Sequence, residues 1–88
     1  MIALEYSDHF LKESRKLPPP QQRKLATLLE LLRENPFHPK LHTKPLVGEL
    51  FGLYSFRITR DWRVIFRFLS EEEIHLVDVG HRKDIYRS

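Results

Sequence analysis

Arginine recurs through the last third of the chain at Arg57, Arg63, Arg67 and Arg82, and a shorter cationic stretch precedes it at Lys40, His42 and Lys44. A guanidinium is a planar fork of donors that fits the paired oxygens of a phosphate. Several forks on one surface therefore point to a phosphorylated partner, and to chemistry in which fixed charge stabilises a reacting phosphoryl group. Asp61, Trp62, His81 and Tyr86 stand among these arginines. A tyrosine or tryptophan there can stack on a base, and a histidine titrates near neutrality and suits proton transfer. Metal chemistry has no matching signal. The five histidines lack ligand spacing, there is no HExxH and there is no cysteine, so neither a zinc site nor any other metal or cofactor is expected. A glycine-rich phosphate loop and a serine nucleophile elbow are also missing.

For these arginines to act together, strands must place them on one face. Leu53 to Thr59 and Trp62 to Phe68 alternate apolar and polar residues, and Ile74 to Val79 forms a third strand. A three-residue loop, Thr59 to Asp61, sets Ile58 opposite Trp62, Arg57 opposite Arg63, Phe56 opposite Val64 and Tyr54 opposite Phe66. Tyr54, Phe56, Ile58, Trp62, Val64, Phe66 and Phe68 then share one face, and Arg57, Arg63 and Arg67 share the other. A four-residue turn at Ser70 to Glu73 sets Arg63 opposite Gly80, carries Val77 and Val79 into the core and leaves Arg82 close to Arg63. Like charges side by side on a sheet are costly unless an anion lies between them. The plainer alternative is that each arginine is solvated or paired with Asp61, Asp78 or Asp84.

The rest of the chain must cover the apolar face. Ile2 to Tyr6 reads as a first strand. Ser7 or Asp8 caps a helix bearing Phe10, Ser14 and Leu17 at helical spacing. Pro18-Pro19-Pro20 breaks it and opens a second helix. Leu25, Leu28, Leu29 and Leu32 form an apolar stripe there, and Asn35-Pro36 ends the helix. Residues 37 to 52 read as a long loop, a length that is uncommon unless the loop is functional. The order is one strand, a two-helix hairpin and three strands, an α+β chain read as a single domain over 1–88.

Eighty-eight residues, 41% of them hydrophobic, suffice for one core. No apolar run approaches the length of a membrane span, and the start lacks a signal-peptide pattern. The expectation is a cytoplasmic protein without a membrane partner. The formal charge of +3 is compatible with nucleic acid.

The run Lys44-Pro-Leu-Val-Gly-Glu-Leu-Phe-Gly-Leu-Tyr-Ser-Phe-Arg-Ile-Thr-Arg-Asp-Trp-Arg-Val-Ile-Phe-Arg-Phe and the tail Val79-Gly-His-Arg-Lys-Asp-Ile-Tyr-Arg resemble the RelE/ParE toxin superfamily. That family has P-L, then G, then Y-S-x-R-I, a turn, R-V/L-I/V-F/Y, and a closing G-x-R-x-x-x-Y. The resemblance covers residues 44 to 87. In the N-terminal half it extends only to the order of elements. It implies a curved antiparallel sheet with both helices on one face, and an antitoxin as partner.

Nuclease members of the family cut messenger RNA in the ribosomal A site without a metal, using the RNA's own 2′-hydroxyl as nucleophile. By resemblance, Lys44 stands at a catalytic position, Arg63 at that of the scissile-phosphate arginine, Arg82 at that of a second phosphate or leaving-group residue, and Tyr86 at that of the nucleotide-aligning aromatic. Asp61 and Trp62 resemble a pair in YafQ-like members, and Arg57 replaces their catalytic histidine. Lysine crowded by guanidinium groups gives up its proton more readily, which makes Lys44 a candidate base. Arg82 or His81 would assist the leaving oxygen. Lys40, Arg57, Asp61, Trp62 and His81 complete the expected RNA contacts. A ParE-like toxin that poisons DNA gyrase without catalysis, and a non-toxic binding module, are the competing expectations.

Overall fold

The structure, a computed structural model, describes residues 1–86. Arg87, the last residue of the tail motif, and Ser88 lie outside the described residues. In chain order the elements are β1 (Ala3–Tyr6), α1 (Asp8–Ser14), α2 (Pro19–Glu34), β2 (Lys44–Pro45), β3 (Tyr54–Arg57), β4 (Trp62–Ser70), β5 (Glu73–His81) and α3 (Arg82–Ile85). One-turn 3₁₀ helices at Pro39–Leu41 and Gly48–Leu50 flank β2. The α+β class and the order of strand, helical hairpin and sheet are as expected.

The five strands form one sheet in the order β1-β5-β4-β3-β2. β2 to β5 are antiparallel neighbours, but β1 lies parallel to β5, with Leu4 beside Ile74 and Tyr6 beside Leu76. The sheet is therefore mixed rather than purely antiparallel. Nothing local in a strand specifies a partner about seventy residues away. Here β1 is held by Ala3 N–H donating to Glu72 O and Ser7 N–H donating to Leu76 O.

Helix α1 starts at the expected cap. Ser7 Oγ accepts from Phe10 N–H at 2.9 Å and donates to Val77 O at 3.0 Å, so one hydroxyl fixes both the helix start and its place against β5. Prolines open α2, where their missing N–H costs nothing. Leu25, Leu28 and Leu32 are buried and Leu29 packs beside them. They meet Phe56, Ile58, Val64, Phe66, Ile74, Leu76 and Val79 from the sheet, the helix-side core that alternation anticipated. Burying each such side chain contributes about 1.5–3 kcal/mol.

The β4–β5 hairpin differs from expectation in its path, though not at its end. Its turn is tighter than the one read from sequence, since Ser70 already pairs with Glu73. Leu69 is then an extra residue on β4 and Val77 an extra residue on β5. Such bulges each shift the register by one, and these two cancel. Arg63 therefore still faces Gly80, while between the bulges Phe66 faces Leu76 and Phe68 faces Ile74. This corrects the expectation for Val77. It leaves the helix-side core and packs on the opposite face beside Leu46, Ile65 and Ile85.

The segment read as a loop between residues 37 and 52 contains β2 and the two 3₁₀ turns. Lys44 pairs with Ser55 and Pro45 with Tyr54, so β2 is a sheet edge, where a proline is tolerated. No helix among the described residues is long and apolar enough to cross a membrane.

Candidate functional site

The sheet face opposite the helices carries the cationic residues. Cross-strand partners project to the same side, so Lys44 shares a face with its partner Ser55, and Arg57 with its partner Arg63. Two arginines directly opposite one another oppose pairing of the strands. Arg63 is only 8% exposed. Its Nε and Nη2 donate to Arg60 O at 3.1 and 2.9 Å, which fixes the guanidinium. Among the described residues Lys44, Arg57 and Arg63 make no ion pair. A nearly buried cation held only by a carbonyl is a site short of negative charge. Gly80 stands across from it, and a Cβ built there would meet nothing within 4 Å.

The other expected residues are not all gathered there. Arg82 reaches the same β3–β4 turn that holds the Arg63 guanidinium, at the neighbouring residue. It begins α3 and folds back on the β3–β4 turn, its N–H donating to Asp61 O at 2.7 Å and its Nε lying 3.2 Å from Asp61 Oδ1. Both side chains are about half exposed, so the pair is weak and exchangeable. Trp62 and His81 are cross-strand partners in edge-to-face contact at 5.2 Å, and Trp62 packs on the helix-side core. They line a cavity of about 370 Å³ with His9, Asp78, Asp84, Gly80 and Ile85. His81 caps α3, its Nδ1 accepting from Lys83 N–H at 3.1 Å. Tyr86 packs on the small cluster of Leu46, Ile65 and Ile85, and its hydroxyl is buried with no hydrogen-bond partner among the described residues. Lys40 is exposed on the first 3₁₀ turn. No group of three His, Cys, Asp or Glu among the described residues is placed to hold a metal.

Pairing of an arginine with Asp61 was the plainer alternative in the sequence, and Arg82 is the arginine that takes it. Two features escaped that reading. One is α3, which is too short for a helical period to show. Arg60 serves through its backbone carbonyl, which no side-chain pattern reveals.

The family model of the ParE toxin of type II toxin–antitoxin systems, parDE, matches residues 4–86. The chain belongs to this family of toxins. Its place in the wider RelE/ParE superfamily, expected from the Lys44–Phe68 run, is thereby established. A search of curated proteins finds no match. Among solved structures the toxin resembles YafQ from E. coli strain BL21(DE3), at 22% identity and a TM-score of 0.81, over 99% of this chain and 100% of that one. It resembles a chain of the archaeal RelE–RelB complex from Pyrococcus horikoshii at 22% identity and a TM-score of 0.76, over 94% and 97%. It also resembles a chain of the toxin–antitoxin complex RelBE2 from Mycobacterium tuberculosis, at 28% identity and a TM-score of 0.68, over 92% and 98%. The fold is shared across the whole of each partner.

Proposed function

We propose that this toxin is a metal-independent endoribonuclease that cleaves messenger RNA in the ribosomal A site, and that a cognate antitoxin restrains it in the cytoplasm. The observation that carries the reading is Arg63: nearly buried, locked to the Arg60 carbonyl, opposed by Arg57, unpaired with any described carboxylate and beside the open space at Gly80. A phosphate there would satisfy both arginines.

In this mechanism the 2′-oxygen of the RNA attacks the adjacent phosphorus. The 2′-O–P bond forms and the P–O5′ bond breaks, giving a 2′,3′-cyclic phosphate and a 5′-hydroxyl. Arg63 and Arg57 stabilise the charge that builds on the non-bridging oxygens. The amine of Lys44, exposed on the same face, accepts the 2′-hydroxyl proton in its neutral form and becomes the ammonium. Arg82 exchanges its solvent-exposed partner Asp61 for the departing 5′-oxygen and stabilises its charge, and the oxygen takes its proton from water. His81 is turned to the Trp62 side, so Arg82 is the better placed of the two to assist the leaving group. Tyr86 supports the face through Leu46 and Ile65, and its stacking on a nucleotide requires α3 to shift.

A purified translation system tests this. The toxin is added to ribosomes with an empty A site and the message 5′ ends are mapped. Cuts bearing a 5′-hydroxyl are expected, and an Arg63→Ala protein should make none. Intact message after exposure to wild type would overturn the reading.

A second reading has an observation in its favour. The matching family model is that of ParE, and two of the four expected catalytic residues already have partners within the chain, Arg82 in Asp61 and Tyr86 in the apolar cluster. On that reading the toxin binds DNA gyrase and cuts nothing. Inhibition of supercoiling, with message left whole, would establish it.

A further inference from the structure

Phe51, at 85%, is the most exposed large apolar residue among the described residues, and Val47, at 82%, stands just behind Met1. Phe51 and Val47 are not at a fraying end. The loop between β2 and β3 is closed by Leu46 N–H donating to Leu53 O, and stiffened by Leu50 N–H to Val47 O, Phe51 N–H to Gly48 O and Leu53 N–H to Leu50 O. Gly48 and Gly52 take φ of +67° and +98°, values that side-chain-bearing residues avoid. Leu46, Leu50 and Leu53 anchor the loop in the cluster around Ile65 and Ile85. Three leucines are thus turned in, while the ring between the last two is held out in water.

Strand β2, which bears Lys44, leads into this loop, and β3, which bears Ser55 and Arg57, leads out of it. The ring therefore stands at one end of the cationic face. A flat aromatic surface continuous with a row of fixed cations is the pairing that holds single-stranded nucleic acid, phosphates on the cations and a base on the ring. An acidic protein segment would also neutralise the cations, and the test below separates it from RNA.

We infer that Phe51 is a stacking platform for one unpaired base of the RNA whose backbone lies along Lys44, Arg57 and Arg63. The inference rests on the nuclease reading given above and adds a positioning residue to it. With a rise of about 3.3 Å per residue, Arg57 lies about 13 Å along the strand from Leu53. The stacked base is therefore a neighbour of the cut and not the nucleotide being cut. Phe51 holds substrate and transition state alike, and its loss raises KM while leaving kcat at saturation unchanged.

The test compares two single-stranded oligonucleotides of equal length, both 2′-O-methylated so that neither can be cleaved, one carrying its bases and one abasic. Binding is measured at low ionic strength, where phosphate contacts are strongest. Wild type should bind the base-bearing strand roughly ten-fold more tightly than the abasic one. Phe51→Ala and Phe51→Leu should erase that preference, and Phe51→Trp should keep it. Arg63→Ala should weaken both strands alike and leave the ratio intact.

An unchanged ratio in Phe51→Ala overturns the inference alone and assigns the ring to a protein-binding surface. Wild type that binds neither strand overturns it as well. The fate of the nuclease reading is then decided separately by message cleavage on ribosomes.

Discussion

The two faces of the sheet are built on opposite terms. The helix side is a continuous apolar core in which Leu32, Phe56, Phe66, Ile74 and Leu76 are fully buried. Of the charged side chains around it some are paired, Lys16 with Glu13, Arg33 with Glu30 and His9 with Asp78, and the cations without a partner among the described residues, Lys12, Arg15, Arg23 and Lys24, are all exposed to water. The other face has only a small cluster, Leu46, Ile65 and Ile85, and next to it a buried serine and a buried arginine. Its cations Lys44, Arg57 and Arg63 are unmatched among the described residues. Self-repulsion on that face opposes folding, and the helix-side core offsets it. One face thus specifies the fold and the other is kept in a state that a bound anion would relieve.

If this division holds, truncation on the helix side should cost stability first. Phe66→Ala removes a fully buried ring stacked on Tyr54 and should destabilise the toxin by about 3–5 kcal/mol, a large part of what a small domain has. Denaturant unfolding with an unchanged m-value would measure it. A loss under about 1 kcal/mol would show that the helix-side core is not the principal one.

Arg63→Ala should do the reverse. The purified variant should cleave message about 10²–10³-fold more slowly, or about 2.7–4 kcal/mol of barrier, with a denaturation midpoint close to wild type. Arg63→Lys keeps the charge but not the fork and should restore little. A variant that unfolds as readily as Phe66→Ala would place Arg63 among the structural residues and erase the contrast between the faces.

Gly80→Val sharpens the comparison further. Gly80 has ordinary backbone angles and free space where the side chain would go, and β-branched residues suit strands. The variant should be at least as stable as wild type. Its methyl groups would fill the space beside Arg63 and displace a phosphate by an ångström or more, a misplacement that costs about 100-fold in rate. Full activity in Gly80→Val would mean that the phosphate does not lie there.

How much of this division the sequence disclosed follows from how local each feature is. Alternation and the leucine stripe gave the helix-side core, because periods of two and 3.6 report which side chains share a face. The short loop Thr59–Asp61 gave the Arg57–Arg63 pairing, because loop length sets hairpin register. The pairing of Arg63 with Gly80 was legible at the right place by a wrong route, since the bulges at Leu69 and Val77 cancel. Val77 was misplaced for the same reason. Val77 and Val79 are both apolar and two apart, so the pattern cannot report the extra residue between facing partners. The parallel pairing of β1 with β5 and the Asp61–Arg82 pair are long-range contacts, and sequence periodicity carries no information about those.

The smallest expected effect concerns the matched charges. Lys16 Nζ lies 2.8 Å from Glu13 Oε2. This hydrogen bond, aided by the positive charge of Lys16, His9 and Lys12, holds the Glu13 carboxyl below its usual 4.5. A carboxyl that binds its proton less readily when folded contributes stability that is fully present above its unfolded value and lost as pH falls through the lower folded one. The window therefore lies below pH 4.5. The pair is open to solvent, with Lys16 largely exposed and Glu13 partly so, so the change in unfolding midpoint there should be close to the limit of detection, and NMR titration of the side-chain carboxyl is the sensitive measure. In Lys16→Met the Glu13 titration should move up toward 4.5, while message cleavage should stay at the wild-type rate. A Glu13 titration indifferent to Lys16 would mean the pair is not formed in solution. Lys16 would then join the solvated, unpaired cations of the helix side, and the difference between the two faces would rest on the burial of Arg63.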